Sequence, residues 1–270
     1  MEQIDDAFEP NGYDVPAEEV DRFVWEHLDM VICFAAGNDG DKTEVSPAQI
    51  GSEAAAKNCI TVGACENDYP DRNQDPNRVA KFSSRGPITR GENNSPPPRF
   101  KPDVVAPGTW ILSTCSGQLD TEWISTNTED RIGPRWGQSP DNNWWYMEGT
   151  SMATPLVAGC AAVLREALRK PQDNADLRPF CRDVDLVASG AAFPSAALIK
   201  ALIINGAEIL ARPTPNADSG FGRINLTNSI HTARRHGTAR FHEGILRDEG
   251  PGRRFEVEIP AEHTLRTTLE

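Results

Sequence analysis

The sequence predicts an α/β protein in which helices cover a parallel β-sheet. One observation is the continuous apolar run Met30 to Ala36, which has the length of a strand and no polar alternation. Such a run is typical of a parallel strand that is buried on both faces. The second observation is that segments with helical spacing alternate with further apolar runs along the chain. This alternation is the pattern of a layered α/β domain.

The first element is predicted to be an amphipathic helix. Pro16 stands at its start, and Val20, Phe23, Val24 and Leu28 share one stripe. Proline is favoured in the first turn of a helix, and the stripe is expected to face the core.

Further strands follow the run at residues 30–36, which itself ends in a sharp Gly-Asn-Asp-Gly turn. Residues 116–146 are rich in Asn, Asp, Gly and Trp and are predicted to be an irregular loop. The predicted strands are Ile60 to Ala64, Val79 to Phe82, Val104 to Ala106 and Trp110 to Thr114.

The C-terminal part is predicted to hold two helices and then strands. Ser195 is expected to cap the helix Ala196 to Ile204, with Gly206 just beyond its end, and a last helix lies near Leu226 to Thr232. From about Arg240 apolar residues alternate with polar ones, which predicts antiparallel strands. We therefore expect one domain over residues 1–238 and the start of a β domain over 239–270.

Composition argues against several classes of partner. The chain has 270 residues with 27 basic and 40 acidic side chains, a formal net charge of -13. This balance argues against nucleic acid and against anionic membrane surfaces as partners. Since no apolar run approaches the ~18 to 20 residues that span a bilayer, we expect a soluble protein without a membrane partner. The first residues have no signal-peptide pattern, and the compartment stays open.

The six cysteines are predicted to be free thiols in apolar surroundings. They lack the spacing of metal ligands, so no metal site is predicted from them. Cys59 and Cys65 flank a predicted strand that would hold them too far apart for a disulfide.

The run Gly149 to Pro155 carries the first chemical signal. The apolar residues after Ser151 keep helical spacing, so this serine stands where a loop becomes a helix. Pro155 fits a place in or at the edge of the first turn, where backbone donors have no partner within the helix. A hydroxyl at this position can attack a carbonyl beside unpaired N–H groups. The alternative is that the serine serves only to cap the helix.

The run Ala35 to Asn38 carries the second signal. Ligands of open parallel sheets bind at the carboxyl ends of strands, and Asn38 follows a strand with an amide that can donate hydrogen bonds. The alternative is an ordinary turn residue, since asparagine is common in turns.

Both runs resemble motifs of the subtilisin-like serine proteases, most closely the alkaline-protease-like members that carry a C-terminal β-barrel. The resemblance implies a three-layer subtilisin-like domain with a parallel sheet, followed by the start of an antiparallel β domain. It implies a serine endopeptidase with a polypeptide substrate, in which Ser151 is the nucleophile and Asn38 an oxyanion donor. The expected substrate-binding residues are Ala35, Ala36, Gly37, Gly149 and Thr150. Structural calcium is common in the family, but no acidic run here has ligand spacing.

The family's catalytic Asp and His are expected upstream of the serine. The only upstream histidine is His27, which is predicted to lie on a helix surface, and His236 is followed by Gly-Thr but lies downstream. Asp103 belongs to a segment predicted to be structural. The resemblance covers residues 13–235 and matches the later half of a protease domain. We therefore expect a truncated chain that is inactive alone and a missing N-terminal half as a partner. The alternative is a non-catalytic peptide-binding or interaction protein on a degenerate protease scaffold.

Overall fold

A computed structural model describes residues 13–41, 49–69, 73–88, 99–118, 137–138, 143–169 and 194–234. Helices and strands alternate as the sequence predicted only up to the second strand; the remaining strands then follow one another, and the last three helices follow them. The predicted strands beyond residue 239 and the Gly-Thr that follows His236 lie outside the described residues. The helices are α1 (Val15–Glu26), α2 (Thr150–Arg169), α3 (Ala196–Gly206) and α4 (Leu226–Arg234), with a short 3₁₀ helix at Glu53–Ala55.

Three parallel strands form the central sheet and confirm the predicted α/β class, while the predicted β domain over 239–270 lies outside the described residues. They are β1 (Cys33–Ala35), β2 (Ile60–Cys65) and β3 (Val104–Pro107), in the order β1-β2-β3. β2 is buried along its whole length because it is hydrogen-bonded on both sides. β1 is shorter than the predicted run and only half-buried, as it has a strand partner on one side among the described residues.

Helices cover both faces of this sheet. Successive strand residues point to opposite faces. Accordingly, Ile60 and Val62 pack in a core against α2 and α3, whereas the Thr61 hydroxyl donates to the carbonyl of Ala54 in the 3₁₀ helix on the other face. α1 packs on that second face, where Ala17 contributes to a separate apolar core. Beyond the carboxyl ends of the strands, the loop after β1 contacts the start of α2.

A second, antiparallel sheet revises the prediction for residues 116–146. It holds β4 (Ile111–Thr114), β5 (Gly137–Gln138) and β6 (Trp144–Met147), in the order β4-β6-β5. The end of the stretch predicted to be irregular is therefore a strand, whose aromatic residues suit a pleated, half-buried surface. β6 leads directly into the start of α2.

The prediction of a strand at Val79 to Phe82 is wrong. Val79 makes an isolated antiparallel bridge with Cys65, and a turn closes with the Ser83 N–H donating to Ala80 O. Pairing with the end of β2 is limited to the bonds from Ala80 N–H to Ala64 O and from Glu66 N–H to Arg78 O, so no ladder extends along the segment.

α1 forms as predicted but buries a different stripe. Asp14 caps it and Pro16 is its second residue. Ala17, Asp21 and Val24 are buried, whereas Phe23 is 42% exposed. The reason is Asp21, whose carboxylate accepts hydrogen bonds from the Asn58 N–H at 2.7 Å and the Tyr13 hydroxyl at 2.8 Å. Because its carboxylate is hydrogen-bonded, Asp21 can be buried on α1, whereas the apolar spacing predicted that Phe23 would be buried.

α3 confirms its predicted cap, because Ser195 Oγ accepts from the Leu198 N–H at 3.1 Å. Gly206, however, is the last residue of the helix rather than the residue beyond it. A Cβ at Gly206 would lie 2.5 Å from Ser229 N in α4. This glycine therefore permits the close approach of α3 and α4.

Asp103 lies in a buried ionic cluster, which agrees with its predicted structural role. Its carboxylate accepts from Lys101 Nζ at 2.6 Å and from the Thr61 N–H at 2.7 Å, and Lys200 Nζ lies 3.7 Å away. Burial alone would raise the pKa of Asp103, but the two ammonium groups and the hydrogen bonds hold it below its ordinary value. The cluster pins β3 to β2 and α3.

The five described cysteines are free thiols, as predicted, and Cys181 lies outside the described residues. Cys59 and Cys65 are fully buried at opposite ends of β2. Burial raises the pKa of the Cys65 thiol to about 12. This thiol is therefore protonated and unreactive at neutral pH.

Candidate active site

The site is built around the first turn of α2. Ser151 is the second residue of the helix, so it stands where a loop becomes a helix as the sequence predicted, and it is exposed. Gly149 precedes the helix with a φ of +149°, and its carbonyl accepts from the N–H groups of Met152 and Ala153. No acceptor for the Ser151 N–H is recorded in the described part of the chain. That donor is therefore available to a ligand at the positive end of the helix dipole.

Pro155 lies deeper in the helix than predicted. Since α2 begins at Thr150, Pro155 is its sixth residue and stands in the second turn, not the first. Without an N–H, it cannot donate to the carbonyl of Ser151, four residues earlier. The helix nevertheless continues to Arg169.

Thr150 joins the start of α2 to the loop after β1. Its hydroxyl accepts from the Gly37 N–H at 3.2 Å and lies 3.0 Å from Asn38 Oδ1, to which it donates. Asn38 Oδ1 also accepts from the Thr150 N–H at 2.9 Å. Because the amide oxygen is held by two donors, the amide nitrogen of the exposed Asn38 side chain is fixed on the opposite side.

The two predicted oxyanion donors approach a common point. The position that a Cβ on Gly149 would occupy lies 3.5 Å from Asn38 Nδ2 and 3.7 Å from Ser151 N. Hydrogen-bond donors stabilise an oxyanion when they lie about 2.7 to 3.1 Å from it. Both nitrogens thus lie near one point beside Gly149, which Met152 Sδ also approaches at 3.5 Å, and an oxyanion site at this point stays a prediction.

Ser84 holds the loop after β1 through hydrogen bonds that the local sequence pattern did not predict. Its N–H donates to Gly37 O at 2.9 Å, and its Oγ accepts from the Asp39 N–H at 3.0 Å. Gly37 has a φ of +110°, and a Cβ there would lie 2.7 Å from Ser84 Oγ. The glycine is therefore required on two grounds, backbone conformation and space.

The residues expected to bind substrate surround the two donors. Ala35 and Gly37 are half-buried, while Ala36 is fully buried. Gly149 is buried, and Thr150 is 1% exposed with its hydroxyl engaged by Gly37 and Asn38. The visible role of Thr150 is to position Asn38. Substrate binding by these five residues stays a prediction.

A cavity of about 250 Å³ lies beside this site, at the carboxyl ends of β2 and β3. Glu148, which precedes Gly149, lines it together with Phe82, Glu66, Asn73 and Trp110. Asn73 and Trp110 have left-handed backbones, with φ values of +54° and +53°. Such conformations in residues other than glycine cluster at functional sites.

A general base for Ser151 does not appear among the described residues. His27 lies at the C-terminal end of α1, where its Nδ1 is 2.8 Å from Phe23 O and its ring stacks on the Phe23 ring. This confirms the predicted surface position of His27. Where the chain is described, no histidine or carboxylate hydrogen bond to Ser151 Oγ is recorded.

The described residues give little support for a metal site or for membrane binding. No three His, Cys, Asp or Glu side chains come together there as a cation site, so calcium stays a prediction without ligands to assign. Against the expectation from the sequence, residues Thr150–Leu168 of α2 are long and apolar enough to cross a membrane by length and composition. Ala153, Val157 and Leu164 on this helix are fully buried against the sheet, and core helices of globular proteins pass the same test.

Comparison with known proteins points to one family. Residues 7–222 match the profile of the subtilase family. The chain is 32% identical over 201 residues to the serine protease AprX of Bacillus subtilis. The aligned region covers 74% of this chain and 35% of AprX. It is 32% identical over 176 residues to pyrolysin of Pyrococcus furiosus, with 57% of this chain and 10% of pyrolysin covered. The chain thus spans about a third of AprX and a smaller share of pyrolysin.

Proposed function

Because this chain belongs to the subtilase family of serine peptidases, we propose that it supplies the nucleophile and the oxyanion donors of a serine endopeptidase. Ser151 is the nucleophile in this proposal. Asn38 Nδ2 and the Ser151 N–H are the donors, and the substrate is a polypeptide. The small, half-buried residues Ala35 and Gly37 leave room for a large substrate side chain, with the fully buried Ala36 between them.

The proposed reaction proceeds through an acyl-enzyme. Ser151 Oγ attacks the carbonyl carbon of the peptide bond, and its proton passes to a general base. The carbonyl oxygen becomes an oxyanion between the two donors. The C–N bond then breaks, the leaving amine takes the proton, and Ser151 carries the acyl group until water hydrolyses the ester.

The observation that carries the proposal is the convergence of Asn38 Nδ2 and Ser151 N on the space beside Gly149. Two hydrogen bonds from Thr150 to Asn38 Oδ1 fix this arrangement in the folded chain before any substrate is present. An oxyanion hole works best when its donors need no reorganisation during the reaction.

A second candidate function is a non-catalytic peptide-binding protein on a protease scaffold. The observation that favours it is the lack of a recorded base contact to Ser151 Oγ in the described part of the chain. A serine hydroxyl without a base is a weak nucleophile at neutral pH. Under this alternative the same donors would hold a peptide carbonyl without cleaving the chain.

Labelling with a fluorophosphonate probe tests the proposal, because the probe forms a covalent bond with an activated serine. We expect the chain to be labelled slowly, and Ser151→Ala to abolish labelling. Asn38→Ala is expected to slow labelling by about 10²-fold, the low end of the loss measured in a subtilisin, a relative of this chain, when its oxyanion amide was removed.

Asn77→Ala is the matched control, because Asn77 is an exposed asparagine bonded only to Asp75 in the contacts recorded for it. This variant should be labelled at the parent rate. Labelling that persists in Ser151→Ala would remove the peptidase assignment. Absence of any labelling, with retained binding of a peptide, would favour the non-catalytic alternative.

A further inference from the structure

Trp110 lines the cavity beside the start of α2 in a strained backbone conformation. Its φ of +53° lies in the left-handed region, which bulky residues rarely adopt and glycine adopts freely. The indole meets the ring of Tyr146 edge-on, with the ring centroids 5.7 Å apart. Because a glycine would remove the strain, the presence of tryptophan indicates that its side chain has a function in the cavity.

Hydrogen bonds fix the backbone next to Trp110. The Thr109 hydroxyl accepts from the Asn67 N–H at 2.9 Å and donates to Gln74 Oε1 at 2.6 Å. On the other side of Trp110, Ile111 begins β4, which pairs with β6. The indole is therefore held in place before any ligand arrives, so little ordering is needed on binding.

The charged groups around the cavity balance one another. Its lining includes two acidic residues, Glu66 and Glu148, and two basic residues, Arg78 and Lys81. The Arg78 guanidinium lies 2.7 Å from Glu66 Oε2, so this pair is already neutralised. Neither sign of charge dominates the lining, which argues against an acidic or a basic occupant.

The aromatic part of the lining favours an aromatic occupant. Trp110 and Phe82 both line the cavity, and aromatic rings pack well edge to face, as Trp110 already does with Tyr146. The volume of about 250 Å³ is smaller than the roughly 300 to 1,000 Å³ of pockets for drug-sized ligands. The cavity therefore suits a single side chain rather than a whole small molecule.

The position of the cavity relative to Gly149 indicates which part of a substrate would reach it. The cavity lies after β2 and β3, whereas Ala35 and Gly37 lie at the end of β1, on the other side of the sheet order. Gly149 connects the two regions, because its N–H donates to Gly108 O after β3 at 2.8 Å and the next residue bonds to the loop after β1. A substrate whose acyl side chain lies at β1 would thus extend its leaving part toward the cavity.

We infer that this cavity binds an aromatic side chain of the polypeptide substrate, on the leaving side of the scissile bond, and that Trp110 determines this specificity. This inference rests on the proposed function. The bound side chain belongs to one of the first residues after the scissile bond, because Glu148 in the cavity lining is next to Gly149. Trp110 makes and breaks no bond in the reaction and acts through binding alone.

The test measures how the Ser151→Ala chain binds peptides that represent the leaving part of a substrate. The probes are tetrapeptide amides, one of alanine only and three with phenylalanine at the first, second or third position. Titration calorimetry should show that one phenylalanine peptide binds at least about 10-fold more tightly than the alanine peptide, as expected for burial of one aromatic side chain. Aspartate or lysine at that position should give no gain over alanine.

Trp110→Gly removes the indole and suits the left-handed backbone. It should reduce the preference for phenylalanine to less than about threefold, because the main aromatic contact is lost. Trp144→Ala is the matched control, since Trp144 lies in β6, is 41% exposed and does not line the cavity. This control should keep the full preference, and circular dichroism should show that both variants fold.

Photocrosslinking of the Ser151→Ala chain gives a second measurement that needs no change at Trp110. The phenylalanine of the tightest peptide is replaced by benzoylphenylalanine, and mass spectrometry locates the attached peptide. The crosslinks are expected at residues that line the cavity, such as Phe82, Lys81 and Trp110. If Trp110→Gly does not fold, this measurement decides the inference.

Four outcomes would overturn the inference. They are equal binding of the phenylalanine and alanine peptides, tighter binding of a charged peptide, an unchanged preference in folded Trp110→Gly, and crosslinks outside the cavity. Fluorophosphonate labelling of the parent chain separates this inference from the proposed function. If the aromatic preference and the crosslinks are found but Ser151 is not labelled, the cavity assignment stands and the peptidase assignment falls. If Ser151 is labelled and the preference is absent, only the inference about Trp110 falls.

Discussion

Asn38 and Thr150 lie 112 residues apart in the sequence, yet Asn38 Oδ1 accepts hydrogen bonds from both the N–H and the hydroxyl of Thr150, at 2.9 and 3.0 Å. The same hydroxyl accepts from the Gly37 N–H at 3.2 Å. These contacts join the end of β1 to the start of α2. They also fix the side-chain amide of Asn38, whose Nδ2 lies 3.5 Å from the position that a Cβ on Gly149 would occupy.

Thr150→Val tests this orienting role, since valine keeps the shape of threonine and removes the hydroxyl. We expect Ser151 labelling by a fluorophosphonate to slow by about fivefold, which corresponds to the roughly 1 kcal/mol that one hydrogen bond contributes. Thr154→Val is the matched control, because the Thr154 hydroxyl donates only to Thr150 O within the helix among its recorded bonds. Equal slowing in both variants would contradict the orienting role.

Gly37→Ala is expected to destabilise the protein by about 1 to 3 kcal/mol, because alanine is strained at a φ of +110° and its Cβ would lie 2.7 Å from Ser84 Oγ. Urea unfolding followed by circular dichroism measures this change. As a control, Gly159→Ala lies inside α2 with no atom within 4 Å of the new Cβ, and it should stabilise the chain by roughly 0.5 to 1 kcal/mol. An unchanged midpoint for Gly37→Ala would refute the steric argument.

Lys101→Met removes the ammonium group that pairs with buried Asp103 at 2.6 Å. We expect a loss of about 3 to 5 kcal/mol in the free energy of unfolding, because a buried carboxylate loses its main counter-charge. The double variant K101M/D103L replaces both charges by apolar groups and should recover much of this loss. If the double variant is as unstable as the single one, packing rather than charge accounts for the effect.

The pKa shift of Asp103 predicts a dependence of stability on pH. Since its pKa is lower in the folded than in the unfolded chain, the unfolded state takes up a proton first as the pH falls. The contribution of Asp103 is therefore complete above about pH 4, the ordinary value for aspartate, and is lost as the pH falls through the folded-state value. As the pH falls below about 4, urea midpoints should therefore fall less steeply for K101M/D103L than for the parent chain.

The sequence by itself determined the elements whose signal is local. The buried strands β2 and β3, the Ser195 cap and the start of a helix next to Ser151 follow from spacing and from residue types next to one another. The helical period relates residues three or four positions apart, and the strand period relates residues two positions apart. Both periods can therefore be recognised within one short stretch of the chain. The family motifs around Asn38 and Ser151 are legible for the same reason, and the family match confirms them as subtilase sequence.

Only the tertiary structure decided which distant groups meet. Thr150 binds Asn38, and Ser84 binds the loop that contains Gly37. Asp21 is buried where Phe23 is not, because Asp21 accepts a hydrogen bond from Asn58. Each of these contacts joins segments that are far apart in sequence. The segment at Val79 to Phe82 had an apolar run but no ladder, and α2 had an apolar pattern that left Leu156 and Val163 exposed. A local pattern records how apolar a side chain is. Whether that side chain is covered depends on what the rest of the fold brings to it, and this has no counterpart in local spacing.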